Sequence, residues 1–235
     1  MSAAGARRSG ATGARPEVRG IYLVTDTGQC GGPAGVVETA RQAADGGVDA
    51  VQVRDPHATT RELVALATAV REALAGTGVP LIINDRVDVA LAVGADGVHL
   101  GQRDLDPVTA RALFGPDVHI GLSISDEREL TEALGLPAGT VDLLGVGPVR
   151  DTPSKTDAAP AVGFDGLAAI CRRSPVPCVA IGGIKGDDLA AVRAAGAVGA
   201  AVISAICGRP DPTAAARALS RGWAAAVPDA TGSAR

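Results

Sequence analysis

Aromatic side chains are nearly missing from this chain, which holds one Trp, one Tyr and two Phe in 235 residues. A core without large rings must be filled by Val, Ile, Leu and Ala. That filling suits parallel strands buried on both faces and covered by Ala-rich helices. Lysine is as scarce: Lys155 and Lys185 are the only two, and every other basic side chain is Arg. Net charge is −4, so no general attraction for nucleic acid is implied. No apolar run approaches the roughly 20 residues of a membrane span. No Cys-x-x-Cys pair exists among Cys30, Cys171, Cys178 and Cys207, and a domain of this size needs no disulfides. Scattered reduced thiols of a cytoplasmic protein are expected, and a zinc site is not. His-Glu-x-x-His and Ser-His-Asp arrangements are missing too.

What is present is alternation. Residues 1–19 are rich in Ala, Gly, Arg and Ser, with no apolar core of a signal segment, and read as a disordered tail. Residues 228–235 read as a flexible C-terminal tail. Between them, residues 20–227 form one domain with no visible linker. Eight short apolar runs, at 20–25, 48–54, 80–84, 97–100, 118–123, 141–146, 178–182 and 200–204, each close on Gly, Asn, Asp or a polar turn. Most are continuous rather than alternating, as strands covered on both sides are. Helical patterns separate them at 36–45, 60–75, 86–93, 108–114, 126–134, 165–172, 187–195 and 212–226. In the second of these, Leu63, Leu66, Ala67, Val70 and Leu74 keep a 3.6-residue period. Asp106-Pro107 places Pro at a first helical position. Eight strand-helix units in one domain predict a (β/α)8 barrel, an α/β TIM barrel with parallel strands. A doubly wound open sheet is the alternative.

A barrel carries its active site at the C-terminal ends of its strands. Read there, the chain offers Gln52, Arg54 and Asp55; Asn84 and Asp85; His99, Gly101, Gln102 and Asp104; Ser123 and Ser125; the stretch Gly147-Pro148 through Thr152, Ser154 and Lys155; Gly182-Gly183-Ile184; and Ile203-Ser204. Asp85 and Asp104 are two hard carboxylates beside basic side chains, the donor set of a Mg²⁺ that keeps waters and binds substrate phosphates. A helix cap is the plain alternative for Asp85. Lys155, with three neighbouring hydroxyls, suits an anion. The turns after the seventh and eighth runs suit a second anion, held by backbone N–H groups. His99 lies inside its run and reads first as a structural histidine, second as a general base. The residues thus point to an enzyme with a diphosphate-and-cation site and a separate monophosphate site.

These same stretches resemble the thiamine phosphate synthase family. The matching motifs are Gln52-Val53-Arg54-Asp55, Ile83-Asn84-Asp85, Val98-His99-Leu100-Gly101-Gln102-Arg103-Asp104, Gly121-Leu122-Ser123, Gly147-Pro148 with Thr152-Pro153-Ser154-Lys155, Ala180-Ile181-Gly182-Gly183-Ile184 and Val202-Ile203-Ser204. The resemblance implies a transferase of thiamine biosynthesis. It would join a hydroxymethylpyrimidine diphosphate to a thiazole phosphate and release diphosphate through a pyrimidine-stabilised cation. It implies Mg²⁺ on Asp85 and Asp104. Arg54, Asn84, Ser123 and Lys155 would hold the diphosphate, with Arg54, Lys155 and Ser123 carrying the catalysis. Gln52 would meet the pyrimidine, Thr152 and Ser154 would line the pocket, and Gly183, Ile203 and Ser204 would bind the thiazole phosphate. Partners would be these small molecules alone, with no nucleic acid and no membrane; association into a homo-oligomer is left open.

Three departures from the family pattern stand out. Pro56 stands where a Lys is usual, Ser125 where a His is usual, and Arg150-Asp151 where an aromatic and Pro are usual. Arg150 or Arg103 would be placed to restore the lost charge. A thiazole tautomerase resembles the family in fold but lacks the metal-binding carboxylates, and uses the His that is Ser125 here. A non-catalytic barrel that binds a phosphate ligand is the other alternative.

Overall fold

The computed structural model describes residues 15–151 and 160–226. Its strands are β1 (Gly20–Val24), β2 (Ala50–Val53), β3 (Leu81–Asn84), β4 (Gly97–Leu100), β5 (His119–Ile124), β6 (Leu143–Val146), β7 (Cys178–Ile181) and β8 (Gly199–Val202). All pair in parallel with the next in sequence, and β8 returns to β1, closing the barrel. Closure removes the open-sheet alternative. The helices are α1 (Pro33–Asp45), α2 (Thr60–Ala73), α3 (Val87–Val93), α4 (Pro107–Phe114), α5 (Glu127–Leu134), α6 (Gly163–Arg173), α7 (Leu189–Ala194) and α8 (Pro212–Ala225). Where 187–195 reads as one helix, the chain forms a 3₁₀ turn, Gly186–Asp188, before α7. Asp188 causes this: its carboxylate accepts the Lys185 N–H at 3.0 Å and the Arg150 guanidinium at 2.7 Å, which holds the first turn tight.

Each strand alternates between two cores. Ile21, Leu23, Val51, Val53 and Ile83 face the helices and join the large outer cluster. Tyr22, Val24, Ala50, Ile82, Leu143, Val179 and Ala201 form a smaller cluster inside the barrel. Glycines make room for the larger interior groups. A Cβ on Gly97 would lie 2.6 Å from the Ile82 Cδ1.

The strands expected from 48 and 141 begin two residues later, for one physical reason. Asp49 Oδ2 accepts the Ile21 N–H at 2.8 Å, and Asp142 Oδ2 accepts the Ile120 N–H at 2.8 Å. Asp96 Oδ2 does the same for Leu81 at 2.9 Å. In each case the aspartate's own N–H donates to the residue its side chain serves, Ile21, Ile120 or Leu81. The aspartate thus latches the preceding strand with a side chain. Of the four pairings β1–β2, β3–β4, β5–β6 and β7–β8, the first three close this way at the end opposite the strand C-termini. At the fourth the corresponding residue is Val198, which keeps the backbone bond to Cys178 at 2.8 Å and has no acceptor to offer.

The expected tails at 1–19 and 228–235 lie outside the described residues except for 15–19. Those five are not a loose end. Val18 is buried in the interior cluster, Pro16 O lies 3.1 Å from His119 Nδ1, and Arg15 pairs with Asp142. Together they cover the bottom of the barrel.

The latch makes a direct prediction. Asp96→Ala strands the N–H of Leu81 on a buried residue and should cost about 1–3 kcal/mol, read as a lower denaturant midpoint. Asp96→Asn keeps an acceptor oxygen and should cost less. Equal losses in the two variants would mean the carboxylate acts by charge and not as an acceptor.

Candidate active site

The C-terminal ends of β2 to β5 bring one group of polar side chains together. Thr25, fully buried just after β1, accepts the N–H of Arg54 through its hydroxyl at 3.2 Å. That bond fixes where the arginine leaves β2. Inside the barrel, Gln52 donates its amide N–H to the Tyr22 hydroxyl at 2.7 Å. Burial pushes the Tyr22 hydroxyl far above its ordinary pKa, so it stays neutral. The Gln52 amide nitrogen is thereby engaged, and its oxygen is the end left to accept. Asp55 has a different task, accepting the N–H groups of His57 and Ala58 at 3.0 and 3.1 Å to turn the chain into α2.

Asp85 is the one residue other than Gly with positive φ among the described residues, at 61°. Left-handed backbone disfavours most L-residues, though Asp tolerates it better than most. The capping alternative fails, because Arg86 holds the N-cap position of α3 and no side chain caps that helix. The Asp85 N–H donates to His99 O at 2.8 Å, which ties the strained residue to β4. Its carboxyl is pushed up to about 7, first by burial and then by the Asp104 carboxylate beside it. The Arg54 charge and the Asn84 side chain pull the other way. Asp104 accepts the Gly101 N–H at 2.7 Å, while Asp106 caps α4 by accepting the Thr109 N–H at 2.8 Å.

Two carboxylates this close repel unless a proton or a cation sits between them. Among the described residues, no cluster of three or more His, Cys, Asp or Glu side chains converges to hold a metal. Two protein carboxylates with an otherwise open shell suit Mg²⁺, which takes its remaining oxygens from water and phosphate. The residues present fit such an ion.

Ser123 stands at the interior of β5, its hydroxyl 3.1 Å from His99 Nε2. Gln102 donates to the Ser123 carbonyl at 2.6 Å and holds the β4 loop over it. On the far side of the mouth, Gly182 and Gly183 have φ of 93° and 69°. A Cβ on Gly183 would lie 2.7 Å from Arg150 Cβ, so only glycine lets the β7 and β6 loops lie this close. Among the described residues, the N–H groups of Gly183 and Ser204 have no acceptor. Ile203 O accepts the N–H groups of Ile206 and Cys207 at 3.0 and 2.8 Å, turning the chain so that Ser204 is exposed.

Thr152, Ser154 and Lys155 lie outside the described residues. The departures from the family pattern find local causes. Ser125 donates its N–H and hydroxyl to Glu129 at 2.6 and 2.7 Å, so it shapes the entry to α5. Arg150 donates twice to Asp188 Oδ1, at 3.1 and 2.7 Å, and stacks 5.1 Å from the Phe164 ring centroid. Of the two charges expected to replace a lysine at Pro56, that of Arg150 is therefore engaged at the β7 side. Tyr22, Thr25 and the working partnership of His99 with Ser123 escaped the sequence reading. The last depends on Gly121 and Gly145 facing one imidazole from β5 and β6, which the sequence does not show.

The family model described as thiamine monophosphate synthase matches residues 21–206. A thiamine-phosphate synthase of Azorhizobium caulinodans is 50% identical over 199 residues, which cover 85% of this chain and 92% of that protein. One of Vibrio campbellii is 47% identical, covering 85% and 95%. Among solved structures, a thiamine phosphate pyrophosphorylase of Pyrococcus furiosus superposes with a TM-score of 0.79 at 34% identity, covering 91% of this chain and 99% of that one.

Asp104→Asn should separate the charge term from the fold. In chelator at pH 8 the variant should unfold at a higher denaturant concentration than the parent, because one of two facing negative charges is gone. The sign follows from Asp85: above about 7 it is ionised and repelled, and below that it binds a proton and the repulsion disappears. The gain should therefore vanish by pH 5. A gain of the same size at pH 5 would place its cause outside the carboxylate pair.

Proposed function

Because the chain belongs to the thiamine monophosphate synthase family, we propose that the two halves of its barrel mouth divide one transfer reaction between them. The activity is that of a thiamine-phosphate synthase, a transferase. In this reading a 4-amino-2-methyl-5-hydroxymethylpyrimidine diphosphate lies over β2 to β5, and a thiazole phosphate is anchored at β7 and β8.

The carbon–oxygen bond to the diphosphate breaks with its electron pair leaving on oxygen. The thiazole nitrogen then supplies the pair that forms the new carbon–nitrogen bond. Charge grows on the diphosphate as the bond breaks, so donors aimed there act on the transition state more than on the ground state. Arg54, Asn84 and Ser123 are the donors for that group, with Lys155 assigned to the same role. Gln52, its amide nitrogen on Tyr22, offers its oxygen to the pyrimidine's amino group. Thr152 and Ser154 are assigned to the pocket wall. The N–H groups of Gly183 and Ser204, with Ile203 between strand and turn, take the thiazole phosphate. Mg²⁺, held by Asp85 and Asp104, would neutralise charge on the departing diphosphate.

The observation that carries this reading is the Asp85–Asp104 pair at the end of adjacent strand loops. It also sets aside the tautomerase alternative, as does the engagement of Ser125 by Glu129. The reading takes residues 20–227 as the whole catalytic unit. All four cysteines are free thiols, which suits a cytoplasmic setting. No helix among the described residues is long and apolar enough to cross a membrane.

The test uses the purified chain with both substrates and Mg²⁺, and mass spectrometry for thiamine phosphate. Product should form, and a chelator should stop it. Asp85→Asn should lower the rate by a hundredfold or so while leaving the thermal transition in place. Full activity in chelator would overturn the metal assignment, and absence of product with both substrates present would overturn the reaction.

A further inference from the structure

We propose that His99 is a positioning residue whose ring Nε2–H donates to Ser123 Oγ and so turns the serine's single proton toward the substrate anion. The proposal rests on the assignment of Ser123 to the diphosphate. A phosphate offers only acceptors, so a serine that binds it must give its proton to it. The hydroxyl's other partner must then be a donor. Among the described residues, the side chain at hydrogen-bond distance from Ser123 Oγ is His99, with Nε2 3.1 Å away.

The barrel is built around that ring. His99 is only 8% exposed and faces the interior from β4. A Cβ on Gly121 would lie 2.3 Å from its Nδ1, and one on Gly145 would lie 2.8 Å from its Cε1. Neither glycine has a positive φ, so the backbone does not require glycine at either position. The imidazole does: two neighbouring strands, β5 and β6, give up a side chain to form its slot. Because His99 O also accepts the Asp85 N–H at 2.8 Å, a single residue sets both the Asp85 backbone and the Ser123 hydroxyl.

Two measurements test this. The first needs no change at position 99. Long-range proton–nitrogen spectra of the ¹⁵N-labelled chain resolve three histidines, His57, His99 and His119, assigned through His57→Gln and His119→Gln. The proton should be found on Nε2 of His99; a ring protonated on Nδ1 alone would overturn the proposal. The second is kinetic. His99→Phe fills the slot without a donor and should lower kcat about tenfold or more, the scale of one lost charge-assisted contact, with KM for the thiazole phosphate unchanged. His99→Gln keeps a nitrogen donor near Nε2 and should recover most of the loss. Gly121→Ala, which displaces the ring from outside, should mimic His99→Phe. In a Ser123→Ala background, His99→Phe should add less than about twofold. Full additivity with Ser123→Ala itself impaired would overturn this inference and leave the role of Ser123 standing. A Ser123→Ala enzyme as fast as the parent would overturn that role, and the inference with it.

Discussion

Everything at the mouth of this barrel depends on the closure between β1 and β8. The ring can close only if the last strand lies directly against the first, and the contact runs through two glycines. A Cβ on Gly199 would sit 2.5 Å from Gly20 O, and one on Gly20 would sit 2.1 Å from Asp49 Oδ2. With closure in place, the ends of β2 to β5 and of β7 and β8 face one another across a single opening. In the proposed reading, two anion sites contributed by strands far apart in sequence would then serve one pair of substrates.

Within that frame the site is held by bonds between neighbouring strands more than by its loops. Thr25 on the β1 side fixes Arg54 beyond β2, His99 on β4 fixes both Asp85 and Ser123, and Gln102 reaches back to β5. The backbone at Arg54 and Asp85 and the Ser123 hydroxyl are thus each tied to a neighbouring strand or its loop. That arrangement leaves two negative charges close together, a cost to the empty protein that a bound cation would relieve. Sites of this kind commonly trade stability for function.

The sequence made the fold legible because each buried strand is short, continuous and followed by a turn residue, and because the helices keep their period. The site was legible for the same reason: in a barrel, position after a strand is itself information. What stayed hidden depends on contacts between distant residues. Asp49 and Asp142 looked like strand members, yet their carboxylates serve the strand before them. Arg150 looked available to the barrel mouth, but Asp188, 38 residues later, holds it. The importance of Gly121 and Gly145 cannot be read without knowing that both face the same imidazole. The roles of Thr152, Ser154 and Lys155 rest on motif alone.

The fourfold repeat of strand pairs is broken at β7–β8, where Val198 replaces the latching aspartate. This is also the pair whose loops carry Gly183 and Ser204. Among the described residues it is therefore fastened at its lower end by backbone bonds alone, and the Gly183 and Ser204 N–H groups at its upper end have no acceptor. A phosphate seated between those loops would supply the second fastening that carboxylates give the other three pairs. In the proposed reading, the thiazole phosphate would brace the two loops above a strand pairing that is already complete without it.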